Sequence, residues 1–259
     1  MTKRRATLAR VLAGLIAFSP ALGDGVKVRH SEGMAHGFLV LQSLGGETLA
    51  DGDLIQTSRG DRVTSRLVFR FRDGSVHDET AVFTQAGSFR LVKDHLIQKG
   101  PSFPLSLDIT IDSASGRVDV RSREKDGTEK VFSEQLELPP DISNGLIFTL
   151  LKNIPPSTER RELPMVASTP RPRLVKLVVT SAGDDALSIG GSTRKATHFI
   201  IKVDVGGIAG LVAPLIGKQP PDTHVWILPG EAPAFVRSEG PLAIDAPIWR
   251  IELVSPVWK

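Results

Sequence analysis

The chain has 259 residues with no cysteine, no tyrosine and only 5% aromatic residues, and its formal net charge is +3. Without cysteine, disulfides, thiolate catalysis and an acylated cysteine anchor are excluded. Residues 1–23 hold four basic residues (Lys3, Arg4, Arg5, Arg10) and no acid, so the rest carries 28 basic against 29 acidic residues, a net of −1; no global attraction to nucleic acid or an anionic membrane is expected.

The basic start is followed by a mostly apolar run, Leu8 to Phe18, interrupted by Arg10, and then by Ser19-Pro20-Ala21-Leu22-Gly23. That order reads as a secretory signal peptide (residues 1–23) cut after Gly23. The run is shorter than the roughly 20 apolar residues a spanning helix needs, and no later stretch reaches that length. The expectation is a periplasmic or secreted protein with no transmembrane segment after signal removal. Residues 24–259 are expected to form a single antiparallel β domain, large enough to bury its own core.

Between Asp61 and Thr84, Val63, Ser65, Leu67, Phe69 and Phe71 alternate with Arg62, Thr64, Arg66, Val68, Arg70 and Arg72. A period of two predicts a strand with one apolar and one basic face. Asp73-Gly74 favours a two-residue type I′ turn, which sets Arg70 opposite His77 and Val68 opposite Glu79. Further strands are expected at Phe89 to Ile97, Leu105 to Ile111, Arg117 to Arg123 and Glu129 to Leu138, with turn residues between them, so the pattern is a meander. After Pro139-Pro140, a helix over about 142–153, capped by Asp141 or Ser143 and apolar nearly all round, should be buried. Pro155-Pro156 ends it. Ser157 to Arg173 reads as a connection with a short strand at Leu163 to Ala167. Strands resume at Leu174 to Ser181, Ala186 to Ile189, Ala196 to Val205, Thr223 to Leu228, Ala234 to Ser238 and Pro247 to Val254. An apolar, glycine-rich insert, Gly206 to Gly217, interrupts them and predicts a possible second short helix at about 208–216.

The second half, with its buried helix, the strand Ala196 to Val205, His224-Val225-Trp226-Ile227, Pro233-Ala234-Phe235-Val236-Arg237 and Trp249-Arg250-Ile251-Glu252-Leu253, resembles a family of exported bacterial β proteins of uncharacterised function. That family is similar in architecture to the periplasmic lipoprotein carriers LolA and LolB. The resemblance is one of pattern and spans roughly residues 60 to 254. It implies an open β half-barrel wrapping a helix over an apolar concavity, with no catalytic residues to carry over. Likeness of fold transfers function only by analogy.

Candidate sites follow from residue type and spacing. The basic stripe Arg62, Arg66, Arg70 and Arg72 could hold a phosphate or carboxylate head group, or pair with acids across the sheet. In the apolar insert, Ile208, Leu211, Val212, Leu215 and Ile216 could form a lid or ligand mouth, or plug the core. Trp226 joins them as a candidate ligand contact. His77 and Glu79 share a strand face while Asp78 points away, and two ligands do not make a metal site. The glycine runs 190–191 and 206–210 lack the spacing of nucleotide-binding loops. No metal, cofactor or catalytic constellation is expected. The leading function is an exported, non-enzymatic binding or carrier protein for an apolar ligand or lipidated partner. The alternatives are a structural protein of the cell envelope without a small-molecule ligand, and a hydrolase-type enzyme whose polar residues converge only on folding. An internal cavity favours binding, a packed interior favours structure, and converging carboxylates or a His–acid pair favour an enzyme.

Overall fold

The computed structural model describes residues 25–204 and 220–254. The signal peptide expected at residues 1–23 and the insert with Ile208, Leu211, Val212, Leu215 and Ile216, including the helix expected at 208–216, lie outside the described residues. Fourteen strands form one antiparallel sheet: β1 (Ala35–Ser43), β2 (Thr48–Arg59), β3 (Arg62–Phe71), β4 (Val76–Thr84), β5 (Arg90–Lys99), β6 (Ser106–Asp112), β7 (Arg117–Arg123), β8 (Glu129–Gln135), β9 (Arg161–Val166), β10 (Leu174–Ile189), β11 (Ser192–Asp204), β12 (Thr223–Leu228), β13 (Ala234–Pro241) and β14 (Ile248–Val254). The strand order is β8-β7-β6-β5-β4-β3-β2-β1-β14-β13-β12-β11-β10-β9. Two meanders therefore meet at a β1–β14 seam, and β8 and β9 are the edges of an open half-barrel. Residues 136–160 link the two edges and carry the single helix among the described residues, α1 (Ile147–Asn153).

Alternation sets the inner face. Along β3, Val63, Phe69 and Phe71 are buried, while Arg62, Arg66 and Arg70 are exposed. The core is one continuous cluster drawn from both meanders and the helix segment. Within it, Phe71, Phe103 and Trp249 pack with ring centroids 5.4–6.1 Å apart, mostly in tilted or edge-to-face geometry, as the ring quadrupoles favour. Both edges carry devices that discourage further pairing: β8 carries charged side chains that pair with Arg123 and Glu124 on its neighbour and the connecting turn, and β9 contains Pro164.

The structure corrects several expectations. The β3–β4 loop has three residues rather than two, because Phe71 N donates to Ser75 O and Gly74 N to Phe71 O. Gly74 occupies φ +84°, the left-handed residue that closes a type I turn into a three-residue hairpin. The register therefore moves by one, placing Phe69 opposite His77 and Leu67 opposite Glu79. The helix begins at Ile147 rather than near 142, since Gly145 has φ +64° and breaks the helical path. Asp141 and Ser143 do not cap it. Ser143 Oγ donates to Pro164 O, and Asn144 exchanges two hydrogen bonds with Val166, tying the segment to β9. The strands expected at 174–181 and 186–189 are one strand with an irregularity between Ser181 and Asp184. Strands β1 and β2 were not anticipated. Phe69, Phe71, Leu150, Phe199, Ile201 and Ile251 are buried, but Leu67, Phe148 and Val203 are only partly so. All three face a cavity.

Candidate functional site

A cavity of about 1200 Å³ lies on the concave side of the sheet. Its walls come from both meanders and α1, and Leu54, Leu67, Leu96, Ile201, Phe235 and Leu253 are representative of the apolar lining. Phe148 projects from α1 and stacks on Phe235 with centroids 4.1 Å apart. The segment from Arg29 to Glu32 forms part of the lining. It is fixed there because Asn153 Oδ1, at the end of α1, accepts hydrogen bonds from Arg29 N and His30 N, both 2.8 Å. Glu32 pairs with Lys152 in the last turn of the helix, where a cation complements the helix dipole.

β4 and β5 bring polar side chains to the inner face of the sheet, and two of them, His77 and Glu79, line the cavity. On β4 the inner positions are His77, Glu79, Ala81 and Phe83. On β5 they are Leu91, Asp94, Leu96 and Gln98. A bulge between Val82 and Phe83 shifts the register, so Leu91 and Asp94, three residues apart, both point inward. His77 is 3% exposed, and its Nδ1 lies 3.1 Å from Gln98 Nε2. The same amide nitrogen donates to Leu242 O at 2.7 Å, which fixes the orientation of the Gln98 amide and makes His77 Nδ1 an acceptor. The neutral ring then carries its proton on Nε2, and Nε2 has no hydrogen-bond partner among the described residues. Burial pushes the His77 pKa down to about 4, opposed by the nearby Asp78 carboxylate.

Glu79 and Asp94 sit diagonally across the β4–β5 pair. Burial pushes Glu79 up to about 7. Burial, and then the charge of Glu79, hold Asp94 well above the usual carboxylate range. Glu79 lines the cavity and Asp94 does not. A side chain at position 145 would meet Ala81 Cβ at 2.6 Å and Asp94 Oδ1 at 2.8 Å, so the Gly145 backbone lies directly over Asp94.

The sequence candidates fall elsewhere among the described residues. Arg66 makes two hydrogen bonds to Asp78, 2.9 and 2.6 Å, on the outer face of the sheet. Its Nε and Nη2 lower the Asp78 pKa first of all by that hydrogen bond. Arg70 pairs with Asp53 at 3.1 Å, and Arg72 is exposed in the β3–β4 turn. None of the three lines the cavity. Trp226 also faces outward, into a small second apolar cluster with Leu187, Ala196 and Val236. Its Nε1 donates to Asp185 Oδ2 at 2.8 Å. His198 stacks on the Trp226 ring with centroids 4.5 Å apart, and lies 3.1 Å from Asp185 and 2.9 Å from His224. The pairing of His77 with Glu79 on one face was legible from alternation. The inward turn of Asp94 was not, because only the bulge produces it.

No helix among the described residues is long and apolar enough to cross a membrane, and no group of three or more His, Cys, Asp or Glu among them could hold a metal ion. No family model matches the chain, and no curated protein does. Among solved structures, the chain is similar to a crystal structure described as a beta-barrel-like protein of domain of unknown function DUF1849 from Brucella abortus, with a TM-score of 0.46 and 11% identity over 89% of this chain and 100% of that one.

Proposed function

We propose that the protein is an exported, non-enzymatic binding or carrier protein that holds the apolar part of a ligand, or of a lipidated partner, in the concavity. The observation that supports this is the cavity of about 1200 Å³, which stands where a half-barrel of this size would otherwise pack its centre. It exceeds the roughly 300–1,000 Å³ of ordinary small-molecule pockets. Unfilled apolar space weakens a fold in proportion to its volume, so an occupant that fills it adds stability. The signal-like pattern of residues 1–23 supports a periplasmic or secreted location, and the likeness of pattern to LolA and LolB supports the carrier role by analogy.

The Glu79–Asp94 pair favours a second reading, a hydrolase. It ranks below the first because Asp94 lies under Gly145 and outside the cavity lining, whereas two-carboxylate hydrolysis needs both groups flanking the bond.

The test is uptake of the fluorescent apolar probe N-phenyl-1-naphthylamine by the wild type and by Leu67→Trp. Leu67 is partly buried against the core and lines the cavity, so a larger ring there takes up ligand space. The proposal expects uptake by the wild type and at least a tenfold weaker affinity in the folded variant. Equal affinity in the two proteins would remove the cavity as the binding site.

A further inference from the structure

We infer that the cavity holds an apolar occupant in a pH-dependent way and that Glu79 is the group responsible: the occupant is held while the Glu79 carboxyl is protonated and released when it ionises. This rests on the binding reading above and adds how that same cavity is regulated.

Glu79 stands on the inner face of β4, directly opposite Leu67 on β3 and Leu96 on β5. Both leucines line the cavity with it, and side chains so placed lie about 5 Å apart. Unlike His77, Glu79 remains partly exposed. Nothing around it favours its charged form: burial raises its pKa, and neither a cation nor a hydrogen bond pulls it back. Its other inner-face neighbours are His77 and Ala81 on β4, Ser65 and Phe69 on β3, and Asp94 and Gln98 on β5. Burial, and then the charge of Glu79, hold Asp94 well above the usual carboxylate range, and His77 takes up a proton only near pH 4. Gly145 lies over Ala81 and Asp94, and residues 144–148 bring no ionisable side chain. Elsewhere in the lining, Lys152 is paired with Glu32, His30 and His36 are engaged by Glu231 O and Asp53, and Arg29, Glu231 and Asp245 are exposed.

An apolar occupant displaces the water that a carboxylate at this place needs. A neutral carboxyl tolerates that loss at modest cost, whereas an ionised one without a counter-charge does not. Filling the cavity therefore raises the Glu79 pKa further. By reciprocity, ionising Glu79 weakens the hold on the occupant by the same factor. In the empty protein the carboxyl titrates near 7. Affinity is thus greatest below that pH. Above it, each further unit weakens binding by up to about tenfold, until the pKa of the filled form is reached.

The test is the Kd of N-phenyl-1-naphthylamine, a diarylamine that stays neutral across the range, measured from pH 5.5 to 8.5. The proteins are the wild type, Glu79→Gln, Glu79→Leu and, as a control on the outer face, His95→Ala. His95 pairs with Asp108 and does not line the cavity. The readout is the ratio of Kd at pH 8.5 to Kd at pH 5.5 within each protein. The expected ratio is at least about tenfold in the wild type and in His95→Ala, and within about twofold in both Glu79 variants. Two variants at position 79 are used so that a folding defect in one leaves the other to decide. A flat profile in the wild type, tighter binding at high pH, or a ratio that survives both Glu79 substitutions, where His30 and His36 are retained, would overturn the pH control while leaving the apolar cavity intact. Failure of the probe to bind the wild type at any pH would instead overturn the binding reading, and this inference with it.

Discussion

Among the histidines near carboxylates on this sheet, His198 and His77 are built differently. On the outer face, both ring nitrogens of His198 are engaged, one by Asp185 and one by His224. The ring is also stacked on Trp226, which shares the Asp185 carboxylate. On the inner face, His77 has one nitrogen engaged by Gln98 and the other buried without a partner among the described residues. A satisfied network closes on itself and adds rigidity, whereas an unmade hydrogen bond at a buried donor costs stability. The outer cluster therefore reads as a fastening of β10, β11 and β12, and the inner one as a polar group that the fold holds at a cost beside the cavity.

The largest expected effect breaks the outer member of that comparison. Trp226 is 8% exposed and joins Asp185, His198 and its own apolar cluster. Trp226→Ala should destabilise the protein by about 3–5 kcal/mol, read from denaturant unfolding, while the remaining folded protein takes up apolar probe as the wild type does. A loss of uptake without a loss of stability would make the outer face a ligand site, as the sequence had suggested for Trp226.

A smaller effect sharpens the inner member. The Glu79 carboxyl titrates near 7 in the folded protein against an ordinary 4.5. The unfolded chain thus gives up its proton first as pH rises, and folded stability falls between pH 4.5 and 7. Glu79→Gln removes that penalty. The variant should be more stable than the wild type by about 3 kcal/mol at pH 8, and the gain should fade as pH falls through 7 and vanish below about 4.5. His77 acts in the opposite direction: its folded pKa of about 4 lies below the ordinary 6.5, so its contribution is lost as pH falls from 6.5 toward 4. Because the variant retains His77, comparing variant and wild type at each pH cancels the histidine and leaves the Glu79 carboxyl together with its influence on Asp94. A gain that does not depend on pH would mean that Glu79 is not held neutral by its surroundings.

Much of the sheet was legible because alternation is a local signal. Val63, Phe69 and Phe71 against Arg62, Arg66 and Arg70 assign the two faces of β3 without knowledge of its neighbours. Strands β1 and β2 escaped because Gly37, Gly52 and the acids Asp51 and Asp53 interrupt the apolar pattern, and residues of those types are depleted in strands. Their place is set by distant partners instead: β1 pairs with β14, more than two hundred residues along the chain. The helix start was misjudged because apolar periodicity does not reveal that Ser143 and Asn144 are committed to the backbone of β9. The cavity was implied by the resemblance of pattern alone and could not be read from the residues themselves. A pattern of apolar residues says which face turns inward, but Leu67, Phe148 and Val203 look the same in sequence whether they meet side chains or empty space. For the same reason the candidate arginines were drawn to the wrong side of the comparison. Arg66 and Arg70 are conspicuous in sequence, and the sheet pairs them with Asp78 and Asp53 on the outside.

The central claim is that the cavity carries a ligand, and native mass spectrometry of the protein purified from its own host tests it most directly. The expected result is a complex heavier than the polypeptide by roughly the mass of one apolar ligand of a size that the cavity holds, with the excess lost on denaturation. A protein that flies at its bare polypeptide mass, and does so again after incubation with a lipid extract of that host, would contradict it.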